Sequence, residues 1–156
     1  MRKNQQGFSL IELLIVVAII LIIAAIAVPN LLRSRMAANE ASAVGSLRSI
    51  NTACTTYAIT YGIGYPVQLS YLKPATPPSS TAADLLDDVL SSGTKSGYSF
   101  ALTGTPPASG TVVQMYTATA APSSPGQTGN RYFFTDHSGV IRQNIGAAAG
   151  PTDNPI

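Results

Sequence analysis

Charge is scarce in this chain. Only 10% of its 156 residues are Asp, Glu, Lys or Arg, against about 25% in ordinary soluble domains. The 9 basic and 7 acidic residues leave a net charge of +2, too balanced for binding nucleic acid by charge alone. There is one cysteine, so no internal disulfide and no Cys/His zinc cluster can form. One histidine and no tryptophan complete the deficits. With one histidine, hydrolase triads and His-based metal sites are improbable before any motif is read. The other side of the ledger is a 46% apolar composition, which requires either a long hidden apolar segment or contact with a membrane.

That segment lies near the start. Residues 1–7 are short, polar and basic, with Arg2 and Lys3. Phe8-Ser9-Leu10-Ile11-Glu12 follows, then an uninterrupted apolar run from Leu13 to Val28. Residues 8–28 in helical form span roughly 31 Å, the thickness of a bilayer's hydrocarbon core. Pro29 and Asn30 punctuate the run. Residues 31–61 continue the helix in amphipathic form. Val44, Leu47, Cys54, Ala58 and Tyr61 recur at helical steps, Ile50 and Tyr57 widen the stripe, and Arg48, Ser49, Thr52, Thr55 and Thr56 lie off it. Gly62 and Gly64 end it.

From residue 62 the composition changes: 11 of the 13 glycines and 10 of the 11 prolines lie in 62–156. Thr81–Ser92 reads as a short helix, with Thr81 as N-cap, Asp84 at the capping-box position and Gly93 after the end. Strands are expected at Gly97–Thr103, Thr111–Ala118, Arg131–Thr135 and Val140–Gln143. Asp136-His137-Ser138-Gly139 suits a type I hairpin turn. Pro74–Ser80, Pro106–Gly110 and Pro122–Asn130 read as mobile loops, and the tail from Gly146 as loose.

Glu12 is the informative residue. A carboxylate at a helix centre costs roughly 2.5–3.5 kcal/mol on the insertion scale, less near an end, and a Leu, Ile or Val gains about 0.3–0.6. There are 12 such residues in 13–28, a total gain of roughly 4–7 kcal/mol against which insertion survives Glu12. An intramembrane carboxylate is a functional hypothesis by default and wants a positive partner. The apolar run holds no Lys or Arg. A cut between Gly7 and Phe8 would create a positive charge, the Phe8 α-amine, one turn from Glu12 on its own or a neighbouring chain.

Lys3 and Gly7-Phe8-Ser9-Leu10-Ile11-Glu12-Leu13-Leu14-Ile15-Val16-Val17-Ala18-Ile19-Ile20 resemble the class III signal of type IV pilins and pseudopilins, over residues 3–30. The resemblance implies cleavage after Gly7 by a prepilin peptidase, N-methylation of Phe8, and a helical homo-oligomeric filament in which Glu12 meets the Phe8 amine of a neighbour. It implies an α+β pilin fold, a long N-terminal helix packed on a small antiparallel sheet. The expected parts are a leader (1–7), a transmembrane and filament-core helix (8–30), its amphipathic half (31–61) and a globular head (62–156). The precursor would sit in the inner membrane, N-terminus inside, and reach the cell surface through an assembly platform and its ATPase. Leu21 departs from the pattern, since many members carry a glycine there. Cys54 alone cannot close the C-terminal disulfide of many pilins, and scattered Asp136 and Asp153 are not the calcium cluster of many pseudopilins.

The expectation is a structural subunit with no catalytic residue, cofactor or metal. Two other readings stay open: a type II secretion pseudopilin acting as a periplasmic piston, and a minor tip pilin for adhesion or DNA uptake. Ala25-Ile26-Ala27 also fits a signal-peptidase site, although the long run interrupted by Glu12 argues against cleavage there. Cys54 reads as a buried hydrophobe and His137 as a solvated turn residue. Phe100, Phe133, Phe134 and the 7 tyrosines read as core rather than a conduction path. Lys73, Lys95, Arg131 and Arg142 are too dispersed to mark a nucleic-acid surface. Loss of residues 1–7 would leave 149 residues with 7 basic and 7 acidic side chains, a near-neutral surface that favours self-association.

Overall fold

The computed structural model describes residues 8–106 and 112–156. The leader with Gly7, most of the Pro106–Gly110 loop and Thr111 lie outside the described residues. One helix, α1, runs unbroken over Leu10–Tyr61, 52 residues with Pro29 inside it. Proline has no N–H to give the carbonyl four residues back, here Ala25, yet the stretch from Leu21 to Pro29 is helical throughout. The helix stops where expected. Gly62 donates its N–H to Ala58 at 3.1 Å and takes φ +66°, the left-handed turn that favours glycine after a helix. The chain divides into two compact units between Arg35 and Met36.

In the second unit a six-stranded antiparallel meander runs β1 (Thr94–Lys95), β2 (Tyr98–Thr105), β3 (Met115–Pro122), β4 (Arg131–Asp136), β5 (Arg142–Ile145) and β6 (Asn154–Pro155), in that spatial order. The fold is the α+β arrangement expected, a helix packed on an antiparallel sheet. Its register explains the packing. Phe100 faces Ala120, Leu102 faces Ala118, and Gly104 faces Tyr116 across β2 and β3; Phe133 of β4 faces Ala120 from the other side. Ala118 and Ala120 therefore make a shallow trough between large neighbours. Ala43, Leu47, Ile50, Ala53, Cys54 and Tyr57 of α1 share one core with these residues. Each large apolar side chain so buried is worth about 1.5–3 kcal/mol. Polar ties fix the helix against sliding. Asn51 donates to the Thr135 hydroxyl at 3.0 Å and accepts from the Tyr116 hydroxyl at 3.0 Å, and the Tyr57 hydroxyl donates to Ser80 O at 2.6 Å.

Several expectations are corrected. The buried stripe of α1 is centred on Ala43, Leu47, Ile50, Cys54 and Tyr57, with Glu40, Ser46 and Ala53 buried too, and Val44, Ala58 and Tyr61 only half-buried. Thr81–Ser92 is not one helix: only α2 (Asp88–Ser91) is helical, and its N-cap is Asp87, which accepts from Leu90 N–H. The N–H groups of Ala83, Asp84, Leu85 and Leu86 go instead to the carbonyls of Tyr71, Lys73 and Leu72, around a 3₁₀ turn at Leu69–Leu72 that the sequence did not suggest. Asp84 has φ +54°, incompatible with helix. β3 begins four residues later than expected and β5 two. The tail is not loose, because β6 pairs with β5 and Asp153 accepts from Asn144 Nδ2 and Gly150 N–H. The 122–130 loop is held by its own hydrogen bonds, Ser124 N–H to Thr128 Oγ1 among them. The turn at Asp136–Gly139 is as expected, closed by Gly139 N–H to Asp136 O at 2.9 Å.

Cys54 is buried and unpaired in disulfide terms, and burial pushes its thiol up to about 12. Because the thiolate is the reactive form, a thiol reagent at pH 8 should leave the folded protein unlabelled and label one site in denaturant. Rapid labelling of the folded chain would contradict the packing around Cys54.

Candidate functional site in the N-terminal helix

Among the described residues, the first unit is helix from Leu10 onward. Every large apolar side chain from Leu10 to Leu32 is exposed, Leu10 at 80% and Leu31 at 70%. Among the described residues, this is the one helix long and apolar enough to cross a membrane, and its most apolar window is uncovered by the chain. Shallow grooves follow the helical rows, one lined by Leu10, Leu13, Leu14, Val17, Ala18 and Leu21, another by Val28, Leu31, Leu32 and Arg35. An exposed apolar surface of this size marks a face suited to lipid or to other helices.

Glu12 interrupts that surface at a defined place. Phe8 and Ser9 are not helical, and α1 begins at Leu10. Ser9 N–H donates to Glu12 Oε2 at 2.9 Å, and Leu13 N–H donates to Ser9 O at 3.2 Å. Ser9 is thus the N-cap and Glu12 the third helical residue, which makes one half of a capping box. The Ser-x-x-Glu signal was visible in the sequence, where Glu12 was weighed only as a charge. The carboxylate also sits at the positive end of the helix dipole. Ser9 is the one partner of Glu12 among the described residues, leaving Oε1 for another donor. No Lys or Arg lies between Lys3 and Arg33. Phe8 is 81% exposed, and its nitrogen is an amide while Gly7 is attached. The structure does not join Phe8 to Glu12 within the chain.

The head offers no comparable site among the described residues. His137 is exposed in its turn. The Asp136 carboxyl, which burial acts to raise, is held below its ordinary value chiefly by hydrogen bonds from Ser138. Asp153 is engaged by Asn144 and Gly150. No three metal-capable side chains converge among the described residues. Lys95 pairs with Asp87, Arg131 with Glu40, and Arg142 donates to Asp153 O. The tyrosines Tyr57 and Tyr61, and Tyr65 and Tyr116, pack as pairs 4.9 and 4.7 Å apart.

Comparison with known proteins points to the same segment. Residues 2–28 match the family profile described as the prokaryotic N-terminal methylation motif. The type IV wide pilus major component of Thermus thermophilus is 60% identical over 38 residues, 24% of this chain and 29% of that protein. The type IV major pilin protein of Myxococcus xanthus is 48% identical over 50 residues, 32% of this chain and 23% of that protein. A type II secretion system core protein G of Klebsiella michiganensis is 30% identical over 84 residues, 51% of this chain and 58% of that protein. The chain thus spans less than two thirds of the length of each of these relatives. No solved structure matches it.

Proposed function

We propose that the chain is the structural subunit of a type IV pilus-like filament. It is inserted in the inner membrane with its N-terminus inside, cleaved between Gly7 and Phe8 by a prepilin peptidase, N-methylated at Phe8, and assembled through α1. The uncovered apolar helix with a capped carboxylate at its start carries this reading: a fully exposed apolar face needs a cover, and Glu12 gives that cover a register. Cleavage turns the Phe8 amide into an amine, and the free Oε1 of Glu12 accepts from the amine of a neighbour. The pair satisfies two charges that a low-dielectric helix bundle would otherwise penalise. Helix–helix contacts replace lipid contacts, and withdrawal of roughly 4–7 kcal/mol of inserted apolar surface falls to packing and to an ATPase-driven platform. The subunit performs no chemistry itself.

A pseudopilin of type II secretion is the second reading. It is favoured by the alignment with a core protein G, which covers 51% of this chain, more than either pilin alignment. Both readings share the processing step and differ in what is built.

The test is N-terminal sequencing and intact mass of protein sheared from the cell surface. A sedimentable fraction beginning at N-methyl-Phe8 is expected for the filament. The same N-terminus confined to the cell envelope would select the pseudopilin. A soluble species beginning at Val28 would overturn both. Gly7→Leu should accumulate as an unprocessed precursor of full mass; normal processing of that variant would place the cleavage elsewhere.

A further inference from the structure

Glu40 is the first buried residue of α1 in chain order, and a buried carboxylate at that point needs a reason. Its Oε1 accepts from the N–H groups of Asn130 at 2.9 Å and Arg131 at 3.2 Å, and its Oε2 accepts from Arg131 Nε at 2.7 Å. Beside it, Asn39 Nδ2 donates to Thr128 O at 3.0 Å. Arg131 is held in turn. Its Nη1 donates to Gln143 Oε1 at 2.9 Å, its carbonyl accepts from the Tyr98 hydroxyl at 2.9 Å, and its guanidinium lies 5.6 Å from the centre of the Phe133 ring. Two consecutive helix residues thus grip the whole connection between β3 and β4. The remaining attachments of that connection are few, with Ser123 N–H to Gly97 O and Gly146 N–H to Asn130 O among them.

We propose that Asn39, Glu40 and residues 123–130, closed onto Arg131 at the start of β4, form a clasp that opens as a unit, separately from the sheet, and that takes up any pull on α1 before the contacts behind it. No helix residue before Glu40 is fully buried, and Asn39 and Glu40 make the first side-chain hydrogen bonds from the helix to the sheet side, so tension along α1 meets this attachment early. Charge-assisted hydrogen bonds are short and stiff. Behind them the Ala43–Tyr57 face is held mainly by apolar contacts, with the Asn51 and Tyr57 hydrogen bonds further along the helix. A loop with few other attachments can open locally while the sheet stays closed. The clasp is a property of the single chain and stands apart from the assembly reading.

It is also acid-sensitive, with a definite sign. Burial acts to raise the Glu40 carboxyl, but the Asn130 N–H, the Arg131 side chain and the Arg131 N–H together hold it below its ordinary value. A carboxyl lowered in the folded state stabilises it above the unfolded pKa, and that contribution is lost as pH falls through the folded one. The charged or titratable groups around Glu40 are Arg131 of β4 and the Tyr98 hydroxyl of β2.

The experiment uses the full chain in detergent micelles, by hydrogen exchange and by pulling between the two termini. In Glu40→Gln the amide NH2 faces Arg131 Nε–H, donor against donor. Protection of 123–130 should fall at least tenfold with β2 and β3 unchanged, and the first opening force should drop. Lys95→Gln, which removes an exposed ion pair, should do neither. In the unaltered chain, acidification should release 123–130 before the sheet. If Glu40→Gln leaves loop and force unchanged, or loosens loop and sheet equally, the clasp is refuted. Should that variant not fold, simultaneous acid release of loop and sheet in the unaltered chain refutes it as well.

Discussion

Glu12→Gln should be inserted and cleaved like the unaltered chain and yield less than a tenth of its filaments. Glutamine is chosen because its amide oxygen can still accept from Ser9 N–H, the bond Glu12 makes at 2.9 Å. The helix start therefore survives while the charge disappears. Glu12→Ala removes both, and its comparison with Gln separates the cap, worth about 0.5–2 kcal/mol, from the charge. Removing a carboxylate makes insertion easier, so a missing filament could not be blamed on failure to enter the membrane. Leaving one partner of a buried pair unmatched costs about 3–5 kcal/mol, roughly two to three and a half powers of ten in each subunit's association. The neutral variant also leaves the bilayer less readily, which works in the same direction. The measurements are the N-terminal mass of the membrane fraction and the amount of protein in the sheared fraction. Normal filament yield from cells carrying only Glu12→Gln would remove Glu12 from the assembly step.

The parts legible in the sequence were those governed by local pattern. The apolar run Leu13–Val28 and the glycine pair at 62 and 64 define the helix and its end without reference to anything distant. The Asp136–Gly139 turn is equally local, since Asp136 caps Ser138 and Gly139 takes φ +76°. What failed depends on partners far along the chain. Thr81-x-x-Asp84 resembles a capping box, yet the N–H groups that would start a helix are taken by carbonyls of residues 71–73. β3 is expected over Thr111–Ala118, on its aromatic and β-branched residues. The strand that forms is built on Ala118 and Ala120, because Phe100, Leu102 and Phe133 beside them need small partners. Ala43, Ser46 and Ala53 lie on the buried face of α1 but off the stripe that its large apolar residues mark. Glu40 gave no signal, since its partners stand 90 and 91 residues away. Ser9 and Glu12 did give one, but a reading centred on charge passed over it.

Gly64→Ala should damage the head as severely as any single methyl can, while leaving processing at Gly7 untouched. Gly64 has φ +84°, and a Cβ there would collide with the backbone carbonyl and nitrogen of Val113. Neither side can yield cheaply. Gly64 bridges Val113, Tyr65 N–H donates to Val113 O at 2.8 Å, and Val113 N–H donates to Ile63 O at 3.2 Å. The left-handed backbone costs a side chain about 1–2 kcal/mol, and two displaced hydrogen bonds add about 1 each with the desolvation of whatever is left unpaired. The total, about 3–5 kcal/mol, is a large share of the 5–15 that hold a typical domain together and corresponds to a fall in Tm of more than about 10 °C. Gly62 supplies the control. Its φ is +66°, but a Cβ there meets nothing within 4 Å, so Gly62→Ala bears only the backbone term of about 1–2 kcal/mol. Thermal or urea denaturation of both variants, followed by near-ultraviolet circular dichroism in detergent, gives the comparison. Equal losses at the two positions would mean that the end of α1 is not locked against the Val113 strand segment, and that conformation alone, without close packing, fixes this corner of the fold.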